Sequence, residues 1–342
     1  MSDKLRAVLV GCGDISNVWL KTITTMDSVD LVALVDLDET VAEAQAVAYE
    51  LDEVIVDADL EAVLSQTKPD IVFDCTVPAA HANVTIEALQ QGCHVLGEKP
   101  LADSLEQAHR MVAAAKEAGR IYAVMQNRRF DPNIRRLQAF LASGEIGKLT
   151  TINSDFYIGA HMGGFRYHMP HVLLLDMAIH TFDAARFLTG ADPVSVYCKE
   201  WNPHGSWFDQ DASAMAIFEM SGGLIYSYRG SWAGEGLRTA WESEWRVVGS
   251  KGSAKWDGAE AMEAEIATEV PGYYADLEEV KIPKSASKTP KPGHPALIRD
   301  FVDCIRTGRI PETICTDNIK SLAMVFGAIE SAEQGQPVAV RW

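Results

Sequence analysis

The sequence predicts two successive α/β units: a doubly wound parallel sheet, then an α+β domain with a large, mainly antiparallel open sheet. Three observations carry this. Short, continuous apolar runs alternate with helical segments of 8–14 residues over the first 126 residues. Strands of that kind are buried on both faces between helix layers, which means a parallel sheet. Beyond Gly190, long strands follow one another without helices, as they do in antiparallel sheets joined by hairpins. The length of 342 residues suits two domains of about 150 residues each.

Leu5–Val10 is the first apolar run and ends on glycine, and Asp14–Met26 reads as the helix after it. Strands two to six fall at Leu31–Val35, Val54–Val56, Ile71–Asp74, Cys93–Leu96 and Ile121–Met125. Helices at Glu39–Tyr49, Asp59–Gln66, Ala79–Gln91 and Leu105–Ala118 separate them. Pro132–Ala142 is helical with Gly144 as its cap, and Leu149–Tyr157 is extended. A helix from His171 to Leu188 is stopped by Gly190 and Pro193. Five strands follow at Val194–Glu200, Ala212–Met220, Leu224–Trp232, Glu242–Val248 and Ser253–Trp256, with turns at Ser221–Gly223 and Ser250–Gly252. Pro283–Gly293 is a Pro/Lys/Ser linker. Closing helices at Pro295–Arg306 and Asp317–Glu333 are expected to pack back on the body. The expected divisions are 1–126 for a dinucleotide-binding domain, 127–293 for a substrate and oligomerisation domain, and 294–342 for the closing helices.

Composition narrows the function. Thirty Lys+Arg against 48 Asp+Glu give a net charge of −18. So acidic a surface repels nucleic acid and anionic membranes. No apolar run approaches the roughly 18 residues of a membrane span, and the N-terminus leads into a strand without a signal core. Six scattered cysteines without a C-x-x-C pair read as buried small hydrophobes in a reducing compartment, with no metal site. The expectation is a cytoplasmic protein.

The first strand runs into Gly11-Cys12-Gly13-Asp14-Ile15-Ser16. Gly11 permits a tight turn, and Gly13 lets the backbone approach a pyrophosphate. The helix start offers N–H groups and a positive dipole end to that anion. This is a Rossmann-type dinucleotide fingerprint with Ser16 in its third position. Asp36 ends the second strand, where a carboxylate accepts the ribose hydroxyls of an adenosine. Asp38 and Glu39 stand beside it without an Arg for a 2′-phosphate, which favours NAD over NADP. Thr76, Pro78 and His81 follow the fourth strand at the carboxyl edge, where ligands bind; a plain helix start explains them equally well.

Glu98-Lys99-Pro100 follows the fifth strand at the same edge. A lysine fixed there by proline can hydrogen-bond a substrate hydroxyl or a developing carbonyl oxygen. Asp176, His180 and Asp183 are spaced i, i+4, i+7 on one face of an otherwise apolar helix. A buried Asp/His row is costly unless it is hydrogen-bonded or used. Asp176 with His180 therefore reads either as an acid–base pair or as a structural pair. Either His180 or a Lys99 of depressed pKa could be the base.

Gly11-Cys-Gly13, Glu98-Lys99-Pro100, Gln126-Asn-Arg-Arg-Phe130 and Asp176-x-x-x-His180 occur in this order. Together they resemble the glucose–fructose oxidoreductase / inositol dehydrogenase / rhizopine catabolism family of NAD(P)-dependent dehydrogenases. The resemblance covers nearly the whole chain. It implies that Lys99 binds the reactive hydroxyl, His180 accepts its proton and Asp176 binds another hydroxyl. It places Asn127 or Arg128 near the nicotinamide and implies a cis Lys99–Pro100 bond; Glu98 and Asn127 are expected at the cofactor and Arg128 at the substrate. It also implies an open sheet used for oligomer contacts. Ser16, Ala178 and Pro170-His171 depart from the family pattern.

The expected function is NAD-dependent oxidation of a secondary hydroxyl on a sugar, cyclitol or related polyol. The alternatives are an NAD-retaining glycosidase-type enzyme and a catalytically silent sugar sensor. Arg166, His168 and Trp232 are expected at the pocket mouth. A homo-oligomer, dimer or tetramer, is expected to form through a sheet face carrying Trp201, Trp207, Trp232, Trp241, Trp245 and Trp256.

Overall fold

In the computed structural model, residues 4–268, 272–283 and 292–342 are described, so most of the expected linker, from 284 to 291, lies outside the described residues. Contacts divide the chain into two units, Met1–Asn127 with Lys291–Ile319, and Arg128–Pro290 with Lys320–Trp342. The closing segment is thus shared between them.

The first unit alternates strand and helix as its apolar runs require. β1 (Leu5–Val10), α1 (Ser16–Ile23), β2 (Val29–Val35), α2 (Glu39–Ala48), β3 (Ile55–Asp57) and α3 (Leu60–Thr67) form the first half. β4 (Ile71–Asp74), α4 (Pro78–Gln90), β5 (His94–Gly97), α5 (Leu105–Ala118) and β6 (Tyr122–Val124) form the second. The six strands run parallel in the order β3-β2-β1-β4-β5-β6. The order reverses between β1 and β4, the switch point at which such sheets open a crevice beyond their carboxyl ends. Caps come from the expected residue types: Asp38, Asp59 and Ser104 accept backbone N–H groups at the starts of α2, α3 and α5. α1 starts at Ser16, two residues later than expected, because Asp14 and Ile15 belong to the glycine turn.

The second unit holds α6 (Pro132–Ser143), β7 (Leu149–Tyr157), α7 (Ile179–Thr189), β8 (Pro193–Trp201), β9 (Ser213–Met220), β10 (Ile225–Ser231), β11 (Glu244–Gly249) and β12 (Gly252–Trp256). β13 (Met262–Ala267) and β14 (Leu277–Glu279) extend the sheet beyond the sequence expectation. α8 (His294–Thr307) packs in the first unit, and after α9 (Cys315–Gln334) the short β15 (Val338–Ala339) pairs with β8. The nine strands run in the order β14-β13-β12-β11-β7-β10-β9-β8-β15. Central β7 is antiparallel to β11 but parallel to β10, so the sheet is mixed and mostly antiparallel.

One face of this sheet carries the core. Ala214, Ala216, Phe218 and Met220 alternate inward along β9, while Met215, Ile217 and Glu219 point outward. Phe182 of α7 packs edge-on against Phe218 and Tyr228, with ring centroids 4.9 and 5.2 Å away. The tryptophans expected on the uncovered face divide differently. Trp232, Trp245 and Trp256 are buried, and the outward face is instead aliphatic at Val194, Met215, Ile217 and Ile225. Strand parity decides this, since a shift of one residue exchanges the faces.

Candidate active site

In the first unit the expected cofactor residues gather at the carboxyl edge. A β-carbon on Gly11, where φ is +86°, would stand 2.7 Å from the backbone of Cys75 and Thr76. Gly11 is therefore glycine for the protein's own packing. Gly13 is different, because a β-carbon there would meet nothing within 4 Å. Gly13, Asp14 and Ile15 are exposed, and no side chain caps α1. Open space above a glycine beside an uncapped helix start is the cradle a pyrophosphate fills. Buried Ser16 donates its hydroxyl to the Gly13 carbonyl at 2.7 Å and fastens the turn to the helix. Half-buried Asp36 accepts the Cys12 N–H at 2.7 Å, which braces the turn from β2. These residues fit the adenosine and pyrophosphate of NAD.

His81, expected at the cofactor, faces two backbone carbonyls, Pro100 at Nδ1 and Thr76 at Nε2, each at 2.9 Å. It ties the two loops together and is buried. The Thr76 hydroxyl donates to Asp74, and Pro78 opens α4. The Lys99–Pro100 bond is cis.

Glu98 is a buried hub. Its carboxylate accepts the Trp19 indole N–H at 2.8 Å and the Lys99 backbone N–H at 3.1 Å, and His294 Nε2 lies 3.4 Å away. Burial alone would raise its pKa. The His294 hydrogen bond and charge, with Trp19 and Lys99, bring it below the usual carboxylate range instead. The Asn127 amide nitrogen lies 3.2 Å from His294 Nδ1, which links it to the same hub. His294 was not legible in the sequence, being a lone histidine after a linker.

In the second unit the helix His171–Leu188 begins differently from the expectation. His171 takes a left-handed φ of +50°, Leu173–Ala178 is π-helical, and the α-helix starts at Ile179. Asp176 and His180 are half-buried while Met177–Ile179 between them are buried. Asp183, expected on their face, turns inward. It accepts from Arg129 Nε and Nη2 at 2.7 and 2.6 Å and from Ser321 at 2.7 Å. Its buried charge is satisfied there as a structural pair.

Arg166 reaches Asp176 with Nε at 2.8 Å and Nη2 at 3.4 Å, so it aims that carboxylate. His168 is exposed and pairs with Asp209. Arg128 is buried, with Nη2 on the Trp241 carbonyl at 3.0 Å and on Met177 Sδ at 3.3 Å, and Nε 3.0 Å from Glu242. Burial lowers the Arg128 pKa and raises that of Glu242, each opposed by the partner's charge. Trp232, expected at the mouth, is 1% exposed and lies beneath Trp241, which is 53% exposed.

Comparison with known proteins identifies both domains. The family model for the oxidoreductase family with an NAD-binding Rossmann fold (GFO/IDH/MocA) matches residues 5–126, and the GFO/IDH/MocA C-terminal domain matches 134–255. The inositol 2-dehydrogenase of Rhizobium meliloti is 26% identical over 98% of this chain and 99% of its own. The D-apiose dehydrogenase of Paraburkholderia graminis is 26% identical over 99% and 90%. An Agrobacterium radiobacter oxidoreductase solved with NAD+, L-tartaric acid and magnesium superposes with a TM-score of 0.85 at 21% identity, covering 98% of each chain. Two family models in sequence order, on a fold whose glycine turn is open to a pyrophosphate, establish that this chain belongs to the GFO/IDH/MocA family and is an NAD-binding oxidoreductase.

Proposed function

We propose that the protein oxidises a secondary hydroxyl of a sugar, cyclitol or related polyol. The observation that carries this is that Asp176 and His180 stand half-buried on either side of buried Met177–Ile179, in a chain that also carries Lys99 at the carboxyl edge of its NAD-binding sheet. Bound NAD supplies a hydride acceptor. His180 removes the hydroxyl proton as general base, a role imidazole side chains commonly take. Lys99 hydrogen-bonds the same oxygen and stabilises the developing alkoxide. Asp176, held by Arg166, accepts a neighbouring hydroxyl and orients the ring. The inositol and apiose dehydrogenases among the relatives support this substrate class. Asp36, with Asp38 and Glu39 nearby, favours NAD over NADP, and calorimetry with both cofactors checks it. We further propose that the working form is a cytoplasmic homo-oligomer.

The test is a screen for NADH formation over sugars, inositols and glycosides. With the best substrate, His180→Ala lowers kcat by about 10²–10⁴-fold and leaves NAD affinity unchanged. Lys99→Ala lowers kcat and raises KM. Near-wild-type kcat in His180→Asn, with the acidic limb of the pH profile retained, would transfer the base role to Lys99. Cleavage of a glycoside without net NADH would replace the dehydrogenase reading.

A further inference from the structure

Within the second unit one large aromatic stands out for being exposed on a rigid mount. Trp241 is 53% exposed, yet the residues beside it, Thr239, Glu242 and Ser243, are held in place. Thr239 exchanges hydrogen bonds with Tyr157 at the end of β7, its N–H donating at 3.1 Å and its hydroxyl accepting at 3.0 Å. Arg128 holds the Trp241 carbonyl, and Trp245 donates its indole N–H to the Glu242 carbonyl at 2.8 Å. Ser243 is fully buried with φ +68°, and its hydroxyl lies 3.3 Å from that of Thr181. A β-carbon on Gly258 would overlap the Ser243 carbonyl, so the next turn also closes onto this one. The Trp241 ring rests on Trp232 and Phe156, at centroid distances of 5.6 and 6.3 Å.

These anchors fix where the ring is. Arg128 joins Trp241 to Met177, the neighbour of Asp176, and Ser243 joins the turn to Thr181, the neighbour of His180. The turn therefore packs on the helix at Met177 and Thr181, the positions next in sequence to Asp176 and His180. Burying the Arg128 charge to fix a surface turn costs free energy, and exposing a tryptophan forfeits its burial. A flat apolar ring held stiffly is what a sugar ring with an apolar C–H face needs, because stacking then loses little conformational entropy.

We infer that Trp241 is the platform on which the substrate ring stacks, and that it selects a pyranose or cyclitol presenting equatorial hydroxyls and axial C–H bonds toward it. This rests on the polyol dehydrogenase reading. It adds a specificity rule: an axial hydroxyl on the stacking face puts an oxygen against the indole and is rejected.

The test compares wild type, Trp241→Ala and Trp241→Phe at saturating NAD. The probes are scyllo-inositol, methyl β-D-glucopyranoside and the 4-axial methyl β-D-galactopyranoside. Two readouts are taken, NADH formation and quenching of tryptophan fluorescence. For the best equatorial ring, Trp241→Ala should raise KM about five- to tenfold, the size of an aromatic contact, and lower kcat by less. Trp241→Phe should restore KM to within about twofold, and quenching by the ring should disappear in that variant. Wild-type KM in Trp241→Ala, or quenching that persists in Trp241→Phe, overturns the inference. Quenching lost in Trp241→Phe without NADH from any ring supports the platform and overturns the dehydrogenase reading. Absence of both signals at millimolar concentration overturns both.

Discussion

Gly11 and Gly13 show how two glycines of one motif answer to different demands. Gly11 answers to the fold, through its positive φ and the backbone of β4's exit pressed against it. Gly11→Ala should therefore destabilise the protein by about 2–4 kcal/mol, read by urea denaturation of the cofactor-free protein. Gly13 answers to a ligand. Gly13→Ala should leave cofactor-free stability within about 0.5 kcal/mol of wild type while weakening NAD, because its methyl fills the space of the pyrophosphate. Calorimetry showing unchanged NAD affinity in Gly13→Ala would remove that contact from the site. The motif was legible in the sequence, but this division of labour was not, since it depends on what stands opposite each α-carbon. The same limit applied to His81 and Asp183, whose residue types suggested chemistry and whose surroundings spend them on carbonyls and on Arg129.

At the scale of elements, the helix bearing Asp176 and His180 was legible from its stops, Gly190 and Pro193. Its π-helical start was not, because apolar spacing reports which face is buried and not which carbonyl each N–H reaches. The start depends on His171, which occupies a left-handed position and is held by Glu200 through Nδ1 at 2.6 Å. The Glu200 hydrogen bond raises His171 above the ordinary histidine value of 6.5, and burial raises Glu200 above its ordinary 4.5. Both groups thus bind protons more tightly folded than unfolded, so their contribution to stability falls as pH rises. The His171 contribution is complete below 6.5 and is lost as pH climbs through its raised value. Asn also tolerates the left-handed region. The melting temperature of wild type should therefore exceed that of His171→Asn at about pH 6, and the gap should narrow at about pH 8.5. A gap independent of pH would show that the pair does not titrate. The strands β13, β14 and β15 escaped the sequence reading because they are short and lie at or near the sheet edges, with few buried residues to mark a period. Trp232 is buried against expectation while Trp241 is exposed, for a related reason: composition locates the aromatic stretch, while strand parity and turn geometry decide which ring faces out.

At the scale of the whole molecule, the uncovered sheet face is where self-association is expected. Tyr197 and Ile217 stand directly opposite each other on β8 and β9, both exposed, with Met215, Val194 and Ile225 on the same face. Apolar side chains exposed together on one sheet face commonly serve a contact surface, and closed symmetric oligomers are the common outcome. Ile217→Glu should convert the protein to a smaller species by light scattering with its far-UV circular dichroism unchanged. An already monomeric wild type at micromolar concentration would refute the expectation. The division of the chain into units has a further consequence, for biosynthesis. The first unit is completed by α8, which brings Phe301 to within 6.5 Å of Phe73 and His294 to Glu98. The second is completed by the segment after Ile319, which brings Ser321 to Asp183 and Arg186. A nascent chain emerging from the ribosome therefore cannot finish one unit before starting the next. Its N-terminal sheet must wait, with an open seam, until α8 is made, and a product released before that carries two unfinished cores instead of one sound domain.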